Sequence, residues 1–253
     1  VNDTNLLKRF DPPSAQHLLG TDEAGRDVMA RLMYGGRISL LVGLFGAISA
    51  ALLGTLIGLM AGYYRGRTEA VLMRVTDGVI SLPLLPLLIV FAAIDLQKLG
   101  FSQEFVRSGT ANFLRIVIII ALVEWTTVAR LVRASTLSLM TREFVLAART
   151  QGASARHILT VHVLPNTTSP IIVALSLAVG QIILLESTLS FLGLGIQPPT
   201  PSWGNMLNNA QELISRAPAL AFYPGFLIFV TVIAVNFLGD GLQDAFDPRA
   251  ESH

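Results

Sequence analysis

EFVLAARTQGASARHILTVHVLPN, residues 143–166, is the longest polar interruption of this chain whose own pattern is helical, and it lies between two strongly apolar segments. Ala147 and Ala148 belong to a helix that Gly152 can end, because glycine enters the left-handed backbone region without a Cβ penalty. Ser154 is placed to cap a new short helix with its side-chain oxygen. Pro165 lacks an N–H and its ring clashes with the preceding turn, so the second helix is expected to stop there. The predicted local structure is helix, sharp turn, short helix, stop, held at a membrane surface.

The membrane follows from composition. The chain has 253 residues, 52% of them hydrophobic and 14% charged, with a mean hydropathy of +0.61. Soluble domains carry about 25% charged residues, so this deficit, together with long apolar runs, indicates an integral membrane protein. A net charge of +1 creates no bulk field for nucleic acid, and no nucleic-acid partner is expected. The absence of cysteine excludes disulfides, thiolate metal sites and a cysteine nucleophile. Residues 1–13, VNDTNLLKRFDPP, lack the apolar core of a signal peptide.

Working outward from the turn gives five expected spans: 38–62, Val79–Ile94, Phe113–Ala129, Pro170–Leu192 and Pro224–Leu238. Residues 1–37 form an extracytoplasmic or interfacial lead-in segment. In it Asp27 can start a helix that carries Val28, Leu32 and Ile38 toward one side, with Arg31 and Arg37 off it. Residues 38–253 form the transmembrane domain. In the first span Gly46, Ala50, Gly54, Gly58 and Gly62 repeat every fourth residue and form a face of small side chains, suited to close helix packing in lipid. Pro83 and Pro86 in the second span mark either a kinked, pathway-lining helix or a helix start.

Intramembrane polar residues face a bundle interior or water, so Glu124, Gln181 and Glu186 are candidates for the pathway or for contact with a partner. Glu124 has a simpler alternative, an interfacial ion pair with Arg130. Glu186 lies about 24 Å along its helix from Pro170. It either meets a substrate amine or a partner subunit, or it bonds to Ser190 one turn on. Trp203 and Met206, in a long polar loop over residues 195–222, are candidates for contact with an external protein, the alternative for Trp203 being an interfacial anchor.

With the 143–166 loop inside, Arg65, Arg67, Arg74, Arg130, Arg133, Arg142, Arg149, Arg156 and Arg249 fall inside, against Lys98, Arg107, Arg115 and Arg216 outside. This agrees with the positive-inside rule. Lys8, Arg9, Arg26, Arg31 and Arg37 even the balance unless the lead-in segment is set apart.

No catalytic constellation is visible. Neither Lys8 nor Lys98 follows a glycine, so there is no P-loop, and neither HExxH nor GxSxG occurs. His17, His157, His162 and His253 are scattered.

Four strings occur in a telling order: HLLGTDEAGRDVMARLMYGGRISL (17–40), the 143–166 loop, ESTLSFLGLGIQPPTPSWGNML (186–207) and FLGDGLQDAFDPR (237–249). Together they resemble the second permease subunit of dipeptide/oligopeptide/nickel-type ABC importers, over nearly the whole chain. The 143–166 loop resembles the family's "EAA" coupling motif, with Ala147, Ala148, Gly152, Leu164 and Pro165 in register. Leu146 stands where the motif has Glu, and His162 where it has Ile.

The resemblance implies an all-α membrane protein of the type I ABC-importer permease class, with a cytoplasmic coupling helix and a sixth span upstream of Val1. It also implies a non-catalytic subunit of a bacterial inner-membrane importer, with the coupling loop and C-terminus cytoplasmic. The implied partners are a homologous second permease, two ATP-binding subunits that hold ATP and Mg, an extracytoplasmic substrate-binding protein and membrane lipid, with no cofactor in this chain. The short helix over Ser154–Val163 would lie in a groove of the ATPase, anchored by Ile158, Leu159 and Val163. The implied substrates are di- and oligopeptides, the alternatives being a nickel complex, glutathione or haem. A secondary transporter or channel working without ATP is the competing class. Its inverted repeats are not visible in the sequence.

Overall fold

The structure is a computed structural model and describes residues 3–208 and 210–246. It is helical almost throughout. Among the described residues the one strand-like pairing is an isolated bridge between Thr21 and Asp27. After a 3-10 turn at Leu6–Lys8 come α1 (Val28–Tyr64), α2 (Gly66–Ser81), α3 (Leu84–Ala92), α4 (Gln103–Arg107), α5 (Gly109–Leu139), α6 (Glu143–Thr150) and α7 (Ala155–His157). A π-helical segment, Ile158–Val163, leads without a break into α8 (Leu164–Phe191). Short α9 (Trp203–Met206) and α10 (Ala210–Arg216) precede α11 (Pro218–Phe246).

Three helical runs are long and apolar enough to cross a membrane: Val28–Tyr64, Ala155–Phe191 and Pro218–Ala245. The pair α2 and α3 qualifies as a fourth only if counted as one span bent by 91°. The expected third span, Phe113–Ala129, lies within the 31 residues of α5. The second expected span is not one kinked helix. α2 ends at Leu82 in extended conformation. Pro83 then opens α3, its carbonyl accepting from the Leu87 N–H at 3.1 Å. Of the two roles open to these prolines, the structure shows the helix start.

Two compact units divide the chain. One comprises Val1–Phe45, Leu88–Ile119 and Gly180–Ala234; the other comprises Gly46–Leu87, Ile120–Val179 and Val235–His253.

In the second unit the small-residue face of α1 meets α5. A Cβ on Gly54 would stand 2.6 Å from the Trp125 carbonyl oxygen, one on Gly58 2.6 Å from that of Ala129, and one on Gly62 2.5 Å from Thr136 Cβ. Backbone therefore packs on backbone, which is how helices associate where lipid supplies little hydrophobic force. Across α2 and α5, Glu69 pairs with Arg133 and Asp77 with Arg130. The expected Glu124–Arg130 pair is thus not formed. Arg130 is taken by Asp77, and Glu124 is half-buried with no ion pair among the described residues.

In the first unit the lead-in segment is folded rather than a plain loop. Asp27 is the helix-start residue, its Oδ1 accepting from the Ala30 N–H at 2.7 Å. α1 begins at Val28, ten residues before the expected first span, and its 37 residues reach about 56 Å at 1.5 Å per residue. Val28 and Leu32 share a side and are buried, Ile38 is half-buried, and Arg31, expected off that side, is buried as well. It is drawn inward because its Nε lies 3.4 Å from Asp22 Oδ2.

Candidate functional site

The 143–166 turn is built from backbone caps. Gln151 closes α6, and Gly152 follows with φ +81°. The Gly152 N–H donates to the Arg149 carbonyl and the Ala153 N–H to the Ala148 carbonyl, both at 3.0 Å. This is the paired reverse bonding of a Schellman cap, which requires a left-handed residue at Gly152. Ser154 then caps α7, its Oγ accepting from the His157 N–H at 3.3 Å.

The helix does not stop at Pro165. Ile158–Val163 is wound as π-helix, and the Leu164 N–H donates to the Leu159 carbonyl five residues back. A π turn displaces the carbonyl that a proline ring would strike in an α-helix. Pro165, having no N–H to place, passes through as the second residue of α8.

The same winding decides which side chains face out. Ile158 and Val163 lie five apart, one π-type step, and both are fully buried. They join Val145, Met140, Leu59, Val128 and Val132 in one core cluster, with Leu159 and Leu164 partly buried against it. Ile158 and Val163 therefore cannot be the outward anchors that the family resemblance implied. The large apolar side chains that do face out are Phe144, Leu146 and Val161. Ala147, Gly152, Ser154 and Pro165 are exposed, and Ala148 is half-buried. Arg149 lies over the Tyr63 ring, 5.4 Å from its centroid, which fastens α6 to the end of α1.

Phe144 and Val161 were not legible as outward residues. Val145 is the inward residue of α6, so its sequence neighbours turn out, a signal that needs the helix phase to be known.

Glu186 sits in a different kind of site. It is fully buried. Its Oε2 accepts from Ser39 Oγ at 3.0 Å and its Oε1 from Ser190 Oγ at 2.7 Å. Ser39 Oγ in turn accepts the Trp203 N–H at 3.2 Å, and Ser190 Oγ accepts the Ile196 N–H at 2.9 Å. One carboxylate thus ties α1, α8 and the loop before α9 together through two relaying hydroxyls. Of the roles open to Glu186, the bond to Ser190 is present, extended by Ser39.

Trp203 is not presented on a surface. Its Nε1 donates to the Leu32 carbonyl at 2.9 Å, and its ring lies where a Cβ on Gly36 would stand 2.6 Å from Cζ2. Met206 is half-buried, and Gln181 is exposed. Ser202 and Asn205 close a reciprocal capping box at the start of α9.

In the lead-in segment, burial pushes the Asp27 carboxyl up. The Ala30 N–H and the His17 ring, 2.8 Å away, pull it down further, so it ends below the ordinary carboxylate range. Among the described residues no group of three His, Asp or Glu side chains is arranged to hold a metal.

Helices of membrane-crossing length, together with a capped turn that exposes apolar side chains, define a helical membrane protein. The chain belongs to the family of binding-protein-dependent transport system inner membrane components, whose family model matches residues 54–252. It is 40% identical over 250 residues to the dipeptide transport system permease protein DppC of Alkalihalophilus pseudofirmus, covering 99% of this chain and 78% of that one. It is 42% identical over 240 residues to the glutathione transport system permease protein GsiD of Pectobacterium atrosepticum, covering 95% and 75%.

Among solved structures it resembles the inward-facing MetNI methionine ABC transporter, with a TM-score of 0.67 at 17% identity, covering 86% of this chain and 96% of that one. It also resembles an amino acid ABC transporter, with a TM-score of 0.61 at 16% identity, covering 86% and 95%. The chain has the fold of type I ABC-importer permeases and is a permease subunit of an ABC importer.

Proposed function

We propose that this subunit forms half of a pathway for di- and oligopeptides and receives its driving force through the 143–166 turn. The peptide substrate is supported by relatives named as dipeptide and di/tripeptide permeases at 40% identity. A relative named for glutathione keeps that tripeptide within the range of substrates. In this reading the turn and the C-terminus face the cytoplasm. The end of the C-terminal string, including Arg249, lies outside the described residues.

Two ATP-binding subunits hold ATP and Mg and dock on the turn. A homologous permease supplies the other half of the pathway, and an extracytoplasmic binding protein delivers the peptide. This chain itself performs no catalysis and needs no cofactor.

The observation that carries the reading is the exposed apolar set Phe144, Leu146 and Val161 on a turn whose backbone is closed by its own caps. Apolar anchors on a short helix suit a helix-in-groove contact. The Schellman cap and the buried Ile158–Val163 face let the turn move as one body with α8. ATP would then shift the subunit between states by binding one of them better.

The test is ATPase activity of the assembled complex in nanodiscs, with and without binding protein and a peptide mixture, for wild type and Gly152→Pro. Proline cannot adopt φ +81°, so stimulation should be lost. Stimulation that survives the change would remove the turn from the coupling, and a complex with no ATPase partner would overturn the reading.

A further inference from the structure

We propose that the cavity beside Arg31, in the first unit, is a binding site for a carboxylate group. The inference is independent of the peptide-importer reading. Arg31 stands in the first turn of α1 and is 5% exposed. Its nearest acidic partner is Asp22, whose Oδ2 lies 3.4 Å from Nε. Asp22 is already occupied. Its Oδ1 accepts from the Ala24 and Arg26 N–H groups at 2.8 and 2.9 Å, and its Oδ2 accepts from Arg26 Nε at 2.7 Å. Glu23 is nearer the surface and reaches only Arg26, at 3.3 Å. Two guanidinium groups therefore share the one buried carboxylate, while the second acid, Glu23, is held by Arg26 nearer the surface.

Arg31 is the less well satisfied of the two guanidinium groups. Its Nη1 is buried and has no hydrogen-bond partner among the described residues. A buried cation without a full set of partners is strongly unfavourable unless a counter-charge completes it. Arg31 lines a cavity of about 120 Å³, together with Asp22, Glu23, Arg26, Asn205 and Asn208. A cavity needs about 10–15 Å³ of such space to admit one water, so this one has room for a carboxylate head and the carbons behind it.

The planar fork of a guanidinium matches a carboxylate in a bidentate fashion. A phosphate dianion fits less well, since Asp22 and Glu23 form part of the wall and oppose a second negative charge. The carboxylate has two possible sources, the C-terminus of a small ligand or an acidic side chain of a docked protein.

The test uses the full-length chain assembled with its partner subunits in nanodiscs. The thermal midpoint is followed while sodium acetate replaces sodium chloride at constant ionic strength. Acetate should raise the midpoint of the wild type. Arg31→Gln should weaken the apparent acetate affinity by about tenfold or more, the loss expected for a charge-assisted bidentate pair. Because Arg31→Gln risks misfolding, Asn208→Asp provides a second route. It places a carboxylate in the cavity wall, and should raise the midpoint without acetate and remove the response to acetate.

Acetate and chloride acting alike on the wild type would overturn the site, as would an unchanged acetate response in both variants. The source follows from the same readout. An Arg31-dependent rise with a free-acid dipeptide but not its C-terminal amide assigns the carboxylate to a small ligand. A rise only with the binding protein assigns it to a docked acidic side chain. None of these readings requires ATP, so their failure leaves the importer reading standing.

Discussion

The 143–166 turn and the Glu186 site solve the same problem, polar groups in an apolar protein, in opposite ways. The turn satisfies its backbone through local caps: Gly152 to Arg149, Ala153 to Ala148, His157 to Ser154. Each partner lies within six residues, and most of the turn's surface remains exposed. The Glu186 site is satisfied through groups far apart in sequence, with Ser39 and Glu186 separated by 147 residues. A locally capped turn keeps its shape when its surroundings change, which suits a part that must meet another subunit. A long-range buried network holds only while all its members are in place, which suits a fixed joint.

The first way to break that contrast is Glu186→Ala. It leaves the Ser39 and Ser190 hydroxyls without their acceptor and opens a cavity, at a cost of roughly 3 kcal/mol or more. Thermal unfolding of the purified subunit should show a large drop. Loss comparable to an exposed-surface change would mean the network is not a joint.

Gly204→Ala comes next, because its Cβ would stand 2.5 Å from Ser187 Cα and 2.8 Å from the Ser187 carbonyl oxygen. Backbone cannot yield cheaply, so about 2 kcal/mol is expected. Gly152→Ala, by contrast, meets nothing within 4 Å. It carries only the left-handed backbone penalty of about 1 kcal/mol. Equal losses from these two glycines in the same unfolding assay would erase the distinction between the regions.

Leu146→Ala is the smallest in stability, within about 0.5 kcal/mol for an exposed side chain, yet peptide-stimulated ATPase should fall severalfold. Intact stimulation would show that packing at Leu146 does not replace the expected Glu.

A pH series sharpens the picture for the lead-in segment, which is capped like the turn. The folded Asp27 carboxyl lies below its ordinary value. Its contribution to stability is therefore present above the unfolded carboxylate pKa, about 3.9, and is lost as pH falls through the folded value. Asp27→Asn should flatten the acid limb of the stability profile below about pH 4, and an unchanged limb would refute the assignment.

What the sequence revealed was local. Gly152 as the turn, Ser154 as a cap and Asp27 as a helix start each depend on one residue's backbone chemistry, and each is found where expected. The repeated glycines of α1 were legible because their spacing alone defines a face. What was hidden depends on partners or on winding. Pro165 reads as a stop only if the preceding turns are α-helical, and nothing in ILTVHV announces a π segment. Arg31 reads as a surface cation until Asp22 is folded beneath it. Trp203 reads as an outward residue until Gly36 and the Leu32 carbonyl are seen to receive it. In each case the deciding atom is remote in sequence or belongs to a rare geometry.

The π segment at Ile158–Val163 also records a phase. An α-helix turns about 100° per residue, and a π-bulge absorbs one residue in excess of that schedule. Deleting a single residue within 158–163 would restore ordinary winding and leave the residues that follow in the phase they already have, whereas deleting one from the regular part of α8 would turn everything beyond it by about 100°. The π segment is in effect slack: it takes up a residue for which α-helical winding has no place, so its length can change where that of α8 cannot.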